Sequence, residues 1–134
     1  LSFNETIHIL NLILGKNIFE EINYDLISYY NSPGDVIKLI NFASEKKINL
    51  KEYILIDLLN LLIDNSYYKK NKFIKSLIIN FIELFFLKEY KLSNTKNLLL
   101  DKYHNFINRI NNVEKFNLDE ESLFLEFKSK LLNG

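Results

Sequence analysis

Residues that form turns are scarce in this chain. Its 134 residues include only three Gly and one Pro. Turns and sheet edges usually contain many of both, because Gly adopts positive φ and Pro presets the backbone of a turn. Long elements with few connections are therefore expected, which favours α-helices. Ile, Asn and Lys are enriched together, as in proteins from AT-rich genomes, so the abundant Ile is not evidence for strands.

The composition is that of an ordinary globular domain. Hydrophobic residues make up 48% and charged residues 25%, and a chain of this length buries roughly two-thirds of its unfolded surface. The 17 basic and 17 acidic residues cancel, so no overall field attracts nucleic acid or anionic membranes. The absence of Cys excludes disulfides, Cys-based zinc sites and thiol catalysis. We expect a cytoplasmic protein.

The beginning of the chain does not resemble a signal peptide, because it has no basic segment and is interrupted by Glu5 and His8. The chain opens on Leu1 and contains no Met, so we expect a fragment of a longer protein. The most apolar run, 77–87, contains Asn80 and is shorter than the ~20 residues that span a bilayer. No membrane association is expected.

Helix-capping signals divide the first part of the chain. Ser2 and Glu5 form a capping box before a helix that ends at Gly15. Asn17 and Glu20 repeat the signal, which predicts a second helix ending near residue 30.

A third helix is predicted from Ser32 as N-cap, Pro33 at the first helical position and Asp35 in the first turn. Apolar periodicity lapses over 44–47, so we predict a boundary at about Lys46. The first three helices would form one small unit over 1–46.

For the rest of the chain, 47–134, the spacing of apolar residues predicts a larger bundle of four to five helices. Asn49 and Glu52 indicate a helix over 50–63, and a longer helix over 72–90 has a wide apolar surface, as expected of a central helix. Ser93 is the expected cap of the next helix, with a stripe that includes Leu98, Leu99, Tyr103, Phe106 and Ile110. The last helix is expected after 117–119. There is no repeat of 20 to 50 residues and no sustained heptad.

The sequence contains no motif in which catalytic or metal-binding side chains have the spacing of a known kind of site. His8 and His104 lie in different halves and have no partner ligand at helical spacing. Asp57 and Asp64 share a helical face but are flanked by packing residues, and the acidic run 119–121 suits the first turn of a helix. No Walker A loop or dinucleotide-binding glycine pattern is present. We expect no catalytic site, metal, cofactor or small-molecule substrate.

One cluster combines aromatic and basic residues, as surfaces that stack bases and neutralise phosphates do. It is also a natural polar loop between two helices. The residues of this aromatic–basic patch are Tyr67, Tyr68, Lys69, Lys70 and Lys72. Elsewhere the surplus of Leu and Phe is explained equally well by a protein interface or by a deep core.

Two stretches resemble one family. The stretch 31–37, Asn-Ser-Pro-Gly-Asp-Val-Ile, resembles the Gly-Ser-Pro-Gly-x-Ala-Leu turn that opens the last lid helix in delta-prime subunits of the bacterial DNA polymerase III clamp loader. The stretch 116–119, Phe-Asn-Leu-Asp, followed by Leu123 to Phe127, resembles the Asn-Leu-Asp segment before the final helix in some members.

The resemblance implies that 1–46 is the lid of an AAA+-like module and that 47–134 is the collar domain. Its partners would be the other loader subunits, bound through the collar, and it would reach DNA only through the complex. Ser32, Pro33, Gly34 and Asp35 would form the lid turn at a degenerate sensor-2 position. ATP-hydrolysing members carry a phosphate-binding Arg where Gly34 stands, so the resemblance implies a non-catalytic subunit.

Two other functions compete with this interpretation. One is a stand-alone helical nucleic-acid-binding module that uses the aromatic–basic patch. The other is a small helical enzyme, for which the sequence offers the least support.

Overall fold

The computed structural model describes residues 2–27, 32–69, 71–92, 94–116 and 120–129, with the backbone alone at 113–116 and 120. Within these ranges the chain forms six α-helices, three short 3-10 helices and no strand, which confirms the all-α prediction. The chain divides into two compact units, Leu1–Leu58 and Leu59–Gly134. The α-helices are α1 (Phe3–Leu14), α2 (Pro33–Glu45), α3 (Leu55–Asp64), α4 (Lys72–Leu92), α5 (Lys96–Phe116) and α6 (Glu120–Phe127).

Helix α1 begins and ends as its capping residues predict. The Ser2 hydroxyl accepts the backbone N–H of Glu5 at 3.2 Å, and the Glu5 carboxylate accepts the N–H of Ser2 at 2.9 Å. At the other end Gly15 has a φ of 70° and its N–H donates to the carbonyl of Asn11. Gly is suited to this left-handed conformation because it has no Cβ.

The predicted second helix is wrong. The chain instead forms two 3-10 helices, Ile18–Glu20 and Tyr24–Leu26. The side chains of Asn17 and Asn23 each accept the backbone N–H two residues ahead, and such local turns compete with a continuous helix. The expected stripe residues Ile18, Ile22 and Leu26 are nevertheless buried. Residues 28–30, the end of that prediction, lie outside the described ranges.

Helix α2 begins at Pro33 after the Ser32 cap, as predicted. Its last residue is Glu45, Lys46 is the C-cap, and the next residue, Lys47, has a φ of 59°. The N–H of Ile48 then donates to the carbonyl of Ala43 at 2.8 Å, and that of Lys47 to the carbonyl of residue 44. These two bonds form a Schellman motif with Lys where Gly is usual.

The helix predicted from residue 50 starts later, at Leu55. The Asn49 side chain accepts the N–H of Lys51 and so forms a turn instead of capping an α-helix. The backbone N–H of Asn23 donates to the carbonyl of Leu50 at 3.1 Å. The segment after α2 is therefore hydrogen-bonded to the part of the first unit that precedes α2.

The two units divide inside α3, after Leu58, twelve positions beyond the boundary that the sequence predicts at Lys46. A lid-to-collar boundary at residue 46 stays a prediction.

Helix α4 is apolar around much of its circumference, as a central helix should be. Its buried residues are Ile74, Leu77, Ile78, Phe81, Ile82, Leu84, Phe85 and Phe86. Phe85 packs edge-on against Phe127 of α6 at 5.6 Å between ring centres, and Phe86 lies 6.0 Å from Phe106 of α5.

Among the described helices, none combines the length and apolar character that a membrane span requires. The predicted cap at Ser93 and the predicted corner at 117–119 lie outside the described ranges.

Candidate functional site

The turn at 32–35, which the resemblance assigns to a lid, is the N-terminus of α2. The Ser32 hydroxyl accepts the backbone N–H of Asp35 at 3.1 Å, and Pro33 occupies the first helical position, where its missing N–H costs no hydrogen bond. Asp35 adds a carboxylate to the first turn, where the helix dipole favours negative charge. Ser32, Pro33 and Asp35 thus form a well-capped helix start.

Gly34 is not required by the backbone of this turn. Its φ lies outside the left-handed region, and among the described residues a Cβ added to it would meet only the Ser32 hydroxyl oxygen, at 3.9 Å. That is an ordinary van der Waals distance. Among the described residues a Cβ therefore has room at position 34.

The aromatic–basic patch is not one exposed surface. Tyr68 is only 5% exposed, and its ring packs edge-on against Phe124 at 4.9 Å between centres. Tyr67 is partly buried in the same 3-10 helix, Tyr67–Lys69. Tyr68 therefore belongs to the core of the second unit and is not open to stack on a base.

The basic residues of the patch lie in different settings. The ammonium of Lys69 forms an ion pair with Glu121 at 3.1 Å, and Lys72 is exposed at the first position of α4. Lys70 lies outside the described residues. The ion pair reduces the positive charge that Lys69 offers to a phosphate.

The described residues contain no group of three or more His, Cys, Asp or Glu side chains that could hold a metal ion. Asp64 forms an ion pair with Lys128, and Asp57 is exposed. The absence of a metal therefore stays a prediction.

The exposed Lys16 ammonium has a raised pKa because it donates a hydrogen bond to the Glu21 carboxylate and is attracted by its charge.

A groove lies between α5 and α6. Its rim includes Lys102 and an ion pair between Arg109 and Glu126. Its floor consists of buried apolar side chains, namely Phe106, Leu123 and Phe127. These side chains already pack against the protein, so the groove offers little open apolar area to a ligand.

Exposed leucines, which were not predicted from the sequence, lie where α4 ends and α5 begins. Leu92 is 81% exposed, Leu98 57% and Leu100 36%; we call these three residues the leucine corner. Leu98 was expected in the buried stripe of α5, and that prediction is wrong. Successive helical residues are rotated by roughly 100° around the axis, so the consecutive leucines 98–100 cannot all face the core. The run of three leucines was therefore the sequence signal that some of them are exposed.

The first unit also exposes apolar side chains. Leu12 and Ile13 lie side by side near the end of α1, and Tyr24 is exposed in its 3-10 helix. Phe3 and Phe19 pack against the Tyr24 ring, so part of this aromatic group is already covered.

No protein-family model, curated protein or solved structure matches the chain.

Proposed function

We propose that this chain is the lid and collar region of a delta-prime subunit of a bacterial DNA polymerase III clamp loader. In this role it is a cytoplasmic, non-catalytic assembly part that helps to hold the loader ring together while the sliding clamp is placed on DNA. The observation that carries the proposal is the lid turn. Ser32 caps a helix that begins at Pro33, and Gly34 stands where ATP-hydrolysing members of the family carry Arg.

The chemistry of position 34 supports a non-catalytic role. An Arg at this point of the lid would place a fixed cation near nucleotide phosphates, where it would stabilise the charge that develops during phosphoryl transfer. Gly34 supplies no such charge. Its backbone does not require Gly, and among the described residues a Cβ has room there, which supports the view that position 34 carries no catalytic side chain.

The leucine corner supports a role in assembly. Fully burying one Leu side chain contributes about 1.5–3 kcal/mol relative to leaving it exposed. Leu92, Leu98 and Leu100 each offer apolar area to another subunit on the part of the chain that the proposal assigns to the collar. Leu98 and Leu100 are roughly 200° apart around α5, so they face different sides of that helix. The partners would be the other clamp-loader subunits, with DNA contacted only through the complex.

The experiment is reconstitution with the clamp-loader ATPase subunits of the same organism, followed by size-exclusion chromatography with light scattering. A stoichiometric complex is expected. A triple variant, Leu92→Ser, Leu98→Ser and Leu100→Ser, should weaken the complex by about tenfold or more, because burying a single Leu already contributes the free energy of a tenfold change in affinity. The control pair Leu12→Ser and Ile13→Ser should not weaken it.

Failure to form any complex with folded partners would contradict the clamp-loader proposal. A complex that forms equally well with the triple variant would remove the leucine corner from it while leaving the family assignment in place. Circular dichroism of each variant establishes that it is folded.

The alternative, a stand-alone nucleic-acid-binding module, is weakened by the burial of Tyr68 and by the ion pair of Lys69. Base stacking needs an accessible ring face. No described contact favours this alternative over the assembly role.

A further inference from the structure

We draw no further inference here: the strongest candidate, the groove between α5 and α6 with Lys102 and Arg109 on its rim, has a floor of side chains that are already buried, and nothing in the structure shows what would cover it.

Discussion

The carboxylate of Asp25 accepts a hydrogen bond from the backbone N–H of Leu55 at 2.8 Å. Leu55 is the first residue of α3, and the first N–H groups of a helix have no partner within it. A carboxylate at this end is also favoured by the helix dipole. The start of α3 is therefore stabilised by a side chain that is distant in sequence.

Replacing Asp25 tests this contact. Asp25→Ala should lower the free energy of unfolding by about 1–3 kcal/mol, since it leaves a partly buried N–H without its charged acceptor. Asp25→Asn should cost less, because the amide oxygen still accepts. Urea denaturation followed by circular dichroism measures both. Asp101→Ala, at an exposed position of α5, is the control and should change stability by less than about 0.5 kcal/mol; an equally small effect of Asp25→Ala would contradict the contact.

The Asp25 contact also explains why the sequence predicted the wrong start for this helix. The capping signals at Ser2 and Ser32 predicted helix starts correctly, but the signal at Asn17 did not, because its side chain caps a short 3-10 helix. At Asn49 the same local pattern forms a turn instead. No local pattern shows that a carboxylate thirty residues away will stabilise the helix, because that proximity exists only in the folded chain.

In the candidate site, as in the fold, local features could be predicted from the sequence and contacts between distant residues could not. The helix start at 32–35 is local, so its four residues could be placed from the sequence. The exposure of a loop aromatic depends on what packs against it, and Phe124 lies on a helix much later in the chain than Tyr68. An aromatic beside lysines therefore indicated a binding surface where the structure has a core residue.

The two described glycines of the first unit should respond oppositely to alanine. Gly15→Ala should destabilise the protein by about 1–2 kcal/mol, because Gly15 has a φ of 70° and a Cβ is strained in that region even with open space around it. Gly34→Ala should stabilise it by about 0.4–1 kcal/mol, since the backbone there is compatible with Ala and the unfolded chain loses freedom. Thermal unfolding of the pair measures the signs. Shifts of the same sign would show that one of the two backbone conformations is wrong.

Lys47 is a second position where the left-handed conformation matters. Its φ is 59°, so Lys47→Gly should raise the free energy of unfolding by about 0.5–1 kcal/mol, the relief of strain exceeding the extra entropy of Gly in the unfolded chain. Lys46→Gly is the matched control: it removes the same charge at a φ of −91° and should destabilise by about 0.5–1 kcal/mol. Equal effects of the two substitutions in urea denaturation would be inconsistent with the Schellman motif.

Tyr68 should behave as a core residue. Tyr68→Ala removes a buried ring that packs against Phe124 and should cost about 3–5 kcal/mol of stability, as large-to-small changes in cores do. Tyr67→Ala, at the partly buried neighbouring position, should cost clearly less. Chemical denaturation of both variants measures these costs. A cost below about 1 kcal/mol for Tyr68→Ala would contradict the burial of this residue, because surface substitutions usually have such small effects.

The lysines of the aromatic–basic patch allow a direct test of nucleic-acid binding. Fluorescence anisotropy with single-stranded and duplex DNA and RNA oligonucleotides, at several salt concentrations, should show no affinity that depends on Lys69 and Lys72. The reason is that Lys69 is paired with Glu121 and the adjacent Tyr68 ring is buried. The double variant Lys69→Gln and Lys72→Gln should therefore match the double variant Lys91→Gln and Lys102→Gln, which removes the same charge from exposed positions. Salt-dependent binding lost only in the first double variant would establish the patch as a phosphate-binding surface, because each lost phosphate contact lowers the salt slope by about one.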